Sequence, residues 1–140
     1  MKKIFFLILL STTISLAQKK SSLSSTPSSL DTIVLAGGCY WCVEAVYENL
    51  KGVQKVVSGF AGGTVKNPSY EAVSSGTTGA AEVVQITFNK NETNLDEIFK
   101  VFFTVHYQTT LNRQGSDVGT QYRSAIFYKN EAKKKAGQKI

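Results

Sequence analysis

The chain has 140 residues, enough for one globular domain and too few for two. Its formal charge is +6, much of it in the C-terminal lysines Lys129, Lys133, Lys134, Lys135 and Lys139. These read as a solvated helix face; basic residues interleaved with aromatics along one recognition element are missing, which speaks against nucleic-acid binding. Two cysteines and one histidine are too few for a structural zinc site.

Met1-Lys2-Lys3 is a short positive start, Ile4 to Leu10 is unbroken apolar sequence, and Ser15-Leu16-Ala17 places small residues where a signal peptidase cuts. This is the three-part pattern of a secretory signal peptide over residues 1–17. A membrane anchor is the alternative, but the apolar run falls short of the ~20 residues a bilayer span needs. The expectation is an exported protein, periplasmic or secreted, with no stable membrane association after cleavage. Residues 18–30 are Ser-rich without hydrophobic periodicity and read as a flexible linker. The folded domain is expected over residues 31–140.

Thr32 to Ala36 is an apolar run ending at Gly37-Gly38 and reads as a strand buried on both faces. Cys39 to Leu50 reads as a helix with Cys39, Cys42, Val43, Val46 and Leu50 on its apolar face. Val53 to Ala61 is a second strand. Thr64 to Gly79 is a long polar loop with a helical turn near Tyr70 to Val73. Glu82 to Phe88 is a third strand, and Asn94 caps a helix from Leu95 to His106. A second polar loop, Tyr107 to Gln121, leads to a fourth strand at Arg123 to Tyr128 and a last helix capped by Asn130. This order predicts an α+β fold of the ferredoxin-like, split βαβ type: a mainly antiparallel sheet with helices on one face and long active-site loops. The final segment stops without a Gly cap or closing strand, as a domain cut short at its C-terminus would.

Gly37-Gly38-Cys39-Tyr40-Trp41-Cys42 sets a thiol where a strand turns into a helix, and free N–H groups at a helix start favour a thiolate nucleophile. A bridge between cysteines this close would remove little chain entropy, so redox chemistry is a better reason for the pair than stapling. Two buried thiols in a core helix would show the same spacing. Tyr40 and Trp41 offer an apolar surface beside the sulfur, although an aromatic pair at a helix start also serves core packing. Glu82 alternates with Val84, Ile86 and Phe88 onto one strand face. If that face is buried, the carboxyl is held neutral and can donate a proton; if the strand end turns out, the carboxyl meets water. His106, at a helix end, reads as a residue bonded to loop backbone rather than a catalytic one.

The motifs together resemble the A-type peptide methionine sulfoxide reductases from about Thr32 onward: Gly38-Cys39-Tyr40-Trp41-Cys42 with Glu44, Gly62-Gly63, Asn67-Pro68, Tyr70-Glu71, Ala81-Glu82-Val83, Arg113-Gln114-Gly115 with Asp117, and Gly119-Thr120-Gln121-Tyr122-Arg123-Ser124. The resemblance implies that Cys39 attacks the sulfoxide sulfur, Glu82 donates a proton to its oxygen, and Tyr70 and Tyr122 hydrogen-bond that oxygen. It implies that Tyr40 and Trp41 hold the substrate methyl and that Asp117 positions the substrate. It further implies specificity for the S epimer, free or in proteins, a sulfenic acid intermediate, a disulfide reset by a thioredoxin-like reductant, and no metal or organic cofactor. The protein is expected to act as a monomer that repairs oxidised exported proteins. Four features depart from the family pattern: Tyr40 replaces Phe, Ala80 replaces His, His106-Tyr107-Gln108 replaces His-Asp-Pro, and no cysteine follows Cys42 to resolve the sulfenic acid. Cys42 is therefore the expected resolving thiol, although sharing a face with Val43, Val46 and Leu50 predicts that it is buried. A thioredoxin-like dithiol oxidoreductase and a non-catalytic binding module are the competing readings.

Overall fold

The computed structural model describes residues 28–139. The expected leader (residues 1–17) and the linker up to residue 27 lie outside the described residues. Ten elements follow: β1 Leu30–Gly37, α1 Tyr40–Tyr47, β2 Val53–Ala61, α2 Tyr70–Ser74, β3 Ala81–Asn89, α3 Leu95–Val105, β4 Arg113–Gln114, β5 Asp117–Val118, β6 Ser124–Phe127 and α4 Glu131–Lys139. The main sheet runs β2-β3-β1-β6, and every pairing in it is antiparallel. The fold is mixed α/β, as the element order predicts.

The helices and sheet share one core. Ile33 and Leu35 of β1 and Val84, Ile86 and Phe88 of β3 pack with Val43 and Tyr47 of α1 and Ile98, Phe99 and Phe102 of α3. The opposite sheet face buries the smaller Ala36, Ala81 and Val83. Strand alternation thus divides large from small side chains between the two faces.

The first helix differs from expectation. It ends at Tyr47, not Leu50, and Cys39 is its N-cap. Its buried residues are Val43 and Tyr47, with Tyr40 and Leu50 packed at the core margin. Cys42 is exposed, not buried, and so is Val46. The stripe is rotated because Tyr47, which is not on the expected apolar face, fills the core. Its hydroxyl donates to the Ile98 carbonyl at 2.8 Å, which satisfies the one polar group it brings inside.

The caps of α3 and α4 behave as expected. Asn94 Oδ1 accepts the Glu97 N–H at 3.0 Å, and Asn130 Oδ1 accepts the Lys133 N–H at 3.1 Å. The Lys-rich last helix is not solvated throughout. Lys133 is buried and pairs with Asp31 and the Thr32 carbonyl at the start of β1. Lys133 holds the Asp31 carboxyl low: burial alone would raise it, but hydrogen bonds from Lys133 and the Thr32 N–H and the charges of Lys133 and Lys90 outweigh that. The second polar loop contains the two-stranded ribbon β4-β5 and a 3-10 turn at Thr120–Tyr122, neither visible as a periodic pattern.

Candidate active site

Strand β1 delivers the chain to Gly37-Gly38, and both positions are crowded. A Cβ on Gly37 would lie 3.0 Å from the Phe102 ring, and one on Gly38 would lie 2.6 Å from Gln114 Cγ. Gly38 also adopts φ +94°, a left-handed conformation that favours glycine. The turn therefore presents Cys39 at the first cap of α1, with its carbonyl accepting the N–H groups of Cys42 at 3.1 Å and Val43 at 3.2 Å.

Cys39 makes no side-chain cap bond. The cap is supplied from β3: Tyr40 N–H donates to Glu82 Oε2 at 3.0 Å. Glu82 is 2% exposed and occupies the end of the core-facing row, which resolves the two sequence alternatives in favour of burial. Burial pushes its carboxyl above the usual range and the Asp117 charge adds to this, while the Tyr40 N–H pulls the other way. Two residues before it, Ala80 is buried, and its N–H donates to Thr78 Oγ1 at 3.2 Å.

The other expected residues surround this pair. Tyr70 opens α2, whose cap is the Ser69 hydroxyl accepting the Ala72 N–H at 3.2 Å. Tyr122 closes the 3-10 turn, half-buried. Burial raises the Tyr122 hydroxyl, and Glu82, Asp117, Tyr70 and Cys39 each add to the rise. Tyr40 is raised in the same way, by burial first and then by Glu82, Tyr70, Cys39 and Glu44. Such mutual effects require these side chains to share one small region. Cys42 belongs to it as well: a hydrogen bond with the Cys39 side chain pushes its thiol up, followed by burial and the charges of Cys39, Asp117 and Glu82.

An aromatic row flanks the thiols. Tyr40 stacks on Phe60 with centroids 5.8 Å apart and meets Trp41 at 5.7 Å. Trp41 is 68% exposed, so it is not core packing. Phe60 is an addition the sequence pattern did not supply; it is the cross-strand partner of Glu82, and only the β2-β3 register reveals that. Glu44, part of the motif that carries the resemblance, has a structural bond: its carboxylate accepts a hydrogen bond from the Ser58 hydroxyl, tying α1 to β2. His106 is buried, but its Nδ1 meets the Phe102 carbonyl of α3 where a bond to loop backbone was expected, and its ring lies against that of Phe102 at 3.9 Å. Burial lowers its pKa, against the bond to Phe102. No group of three His, Cys, Asp or Glu side chains able to hold a metal occurs among the described residues.

A family model described as peptide methionine sulfoxide reductase matches residues 31–140. The chain belongs to that family. The peptide methionine sulfoxide reductase MsrA of Saccharolobus solfataricus is 53% identical over 111 residues, which cover 79% of this chain and 63% of that protein. The MsrA of Leptospira borgpetersenii is 54% identical over 112 residues, 79% of this chain and 64% of that protein. Among solved structures, reduced Mxr1 of Saccharomyces cerevisiae superposes with a TM-score of 0.76 at 36% identity, covering 81% of this chain and 67% of that one. Methionine sulfoxide reductase A of Corynebacterium diphtheriae gives 0.74 at 30% identity, covering 81% and 57%. This chain thus spans a little under two thirds of the length of these curated relatives.

Proposed function

We propose that this protein reduces the S epimer of methionine sulfoxide, free or peptide-bound, to methionine. The observation that carries the reading is the buried carboxyl of Glu82 bonded to Tyr40 N–H at 3.0 Å, one residue from the Cys39 thiol at the cap of α1. A nucleophile and a proton donor then face one reacting group. Cys39 sulfur attacks the sulfoxide sulfur while Glu82, neutral because buried, passes its proton to the sulfoxide oxygen. Tyr70 and Tyr122 donate hydrogen bonds to that oxygen, Tyr40 and Trp41 receive the methyl group, and Asp117 orients the substrate. The protonated oxygen then passes from the substrate sulfur to the Cys39 sulfur: the bond between oxygen and substrate sulfur breaks, methionine leaves, and Cys39 is left as a sulfenic acid.

In the second half-reaction Cys42 sulfur attacks the sulfenic sulfur, water departs and a Cys39–Cys42 disulfide forms. The exposure of Cys42 and its contact with the Cys39 side chain support this role. A thioredoxin-like dithiol, itself oxidised to a disulfide, restores both thiols. The leader pattern of residues 1–17 supports repair of exported proteins. The strand order β2-β3-β1-β6, with α1 and α3 on one face, supports a ferredoxin-like, split βαβ description of the scaffold.

The test is reduction of a methionine sulfoxide peptide with dithiothreitol as the recycling thiol. Turnover that Cys39→Ser abolishes is expected. Dithiol exchange on a disulfide substrate without any sulfoxide reduction would instead indicate a dithiol oxidoreductase, and inactivity towards both would indicate a binding module.

A further inference from the structure

The second long loop leaves α3 at His106 and must find partners for its backbone groups before it reaches β6. Gln114 supplies two of them. Tyr107 N–H donates to Gln114 Oε1 at 2.9 Å, and Gln114 Nε2 donates to the Tyr107 carbonyl at 2.7 Å. A side-chain amide, with its one acceptor and paired donors, here takes the part of a neighbouring strand and closes the loop at its base. The same Nε2 reaches Ser124 Oγ of β6 at 3.4 Å.

The stem of this side chain has a second contact. A Cβ on Gly38 would meet Gln114 Cγ at 2.6 Å and Cβ at 2.7 Å, so the stem lies directly on the turn that presents Cys39. In the β4-β5 ribbon Gln114 is the cross-strand partner of Asp117. Its neighbour Arg113 is occupied elsewhere in the loop, donating from Nε to the Gly115 carbonyl at 2.9 Å. Gln114 is therefore the ribbon residue that joins the nucleophile turn to the strand carrying the carboxylate.

We propose that Gln114 is a positioning residue that fixes Asp117 relative to Cys39 and so determines how the sulfoxide substrate is held. The role rests on the reductase reading of the site. Gln114 touches no reacting atom; it acts through Asp117. Losing its amide frees the loop base at Tyr107, and the ribbon then carries Asp117 away from the thiols.

The experiment uses the full chain with Gln114→Met, which keeps the stem over Gly38 and removes the amide bonds to Tyr107 and Ser124, with Asp117→Asn and with the double variant. The first readout is the pH midpoint for iodoacetamide alkylation of Cys42, resolved by mass spectrometry. The ionisable groups that face Cys42 are Cys39, Asp117 and Glu82, so the midpoint reports the proximity of Asp117. Gln114→Met should lower the midpoint as Asp117→Asn does, and the double variant should lower it no further. The second readout is sulfoxide reduction. Gln114→Met should lose about tenfold or more in kcat/KM, mainly through KM, yet cost about threefold or less in the Asp117→Asn background. An unchanged Cys42 midpoint, or kinetic losses that multiply in full, would overturn the proposal. If the wild-type chain reduces no sulfoxide, the reductase reading fails while the Cys42 midpoints still decide the placement of Asp117. Should Gln114→Met not fold, Gln114→Asn, whose amide is too short for Tyr107, carries the same expectations.

Discussion

The carboxyl of Glu82 on β3 accepts the Tyr40 N–H at 3.0 Å and so caps α1 in place of the residue that normally would. Cys39 occupies the cap position but makes no cap bond with its sulfur. The division of labour leaves the thiol free of the cap and fixes an acid beside it. A helix start normally favours a charged carboxylate; burial at 2% exposure and the Asp117 charge work against that, and the net direction is upward.

That direction ties both rate and stability to the protonation of Glu82. Glu82→Ala should slow reduction by about 10²–10⁴-fold, and Glu82→Gln by less. The wild-type rate should fall as pH rises through the elevated Glu82 pKa. For stability the sign runs the same way: the folded state binds the Glu82 proton more tightly than the unfolded chain, so stability is lost as pH rises from the ordinary carboxylate range through the folded value. Glu82→Gln should therefore melt above wild type at pH 8, with the gap closing towards pH 4. Equal melting temperatures at both pH values would mean that Glu82 is ionised without penalty.

Exposure of Cys42 removes the main obstacle to resolution, because the sulfur need not be released from a core. Cys42→Ser should still release methionine in one turnover and then hold a sulfenic acid that dimedone labels. The wild type should show no label. Dimedone labelling of wild type equal to that of Cys42→Ser would make the resolving thiol external.

Trp41 and Phe60 belong to one aromatic row but have separate duties. Trp41→Ala should change stability by no more than about 0.5 kcal/mol, as expected at an exposed position, while raising KM for a sulfoxide peptide several-fold. Phe60→Ala, which removes the ring under Tyr40, should cost about 2 kcal/mol in urea unfolding. A large stability loss in Trp41→Ala would assign that ring to packing after all.

The Lys133–Asp31 pair clips α4 to the start of β1. Its Asp31 carboxyl is held low, so its contribution is present above the ordinary carboxylate pKa and is lost as pH falls through the depressed folded value. Asp31→Asn should cost about 1–3 kcal/mol at pH 7, the partial exposure of Asp31 keeping it below a fully buried pair. The difference from wild type should shrink in acid. A difference that stays constant down to pH 2 would show that the pair adds nothing.

Much of this was legible in the sequence, for identifiable reasons. Val53–Ala61 is a strand over the residues its pattern predicts, and Asn94 and Asn130 cap the helices they precede, because these signals are local. The alternation of Glu82 with Val84, Ile86 and Phe88 placed the acid on the core-facing row, but its burial depended on how much of that row the helices cover. The apolar stripe of α1 departs from its local pattern because Tyr47 enters the core by finding the Ile98 carbonyl across the fold, a long-range bond that no local period encodes. The links from Phe60 to Glu82 and from Gln114 to Gly38 come from strand register and loop closure, which join residues far apart in sequence.

The most direct test of the central claim is a single turnover without any added reductant. The fully reduced protein is mixed with an excess of either epimer of a methionine sulfoxide peptide, and methionine release and intact mass are followed together. One methionine should form per chain from the S epimer and none from the R epimer, with the loss of two hydrogens and both thiols, and Cys39→Ser should release none. Equal release from both epimers, or undiminished release by Cys39→Ser, would contradict the account.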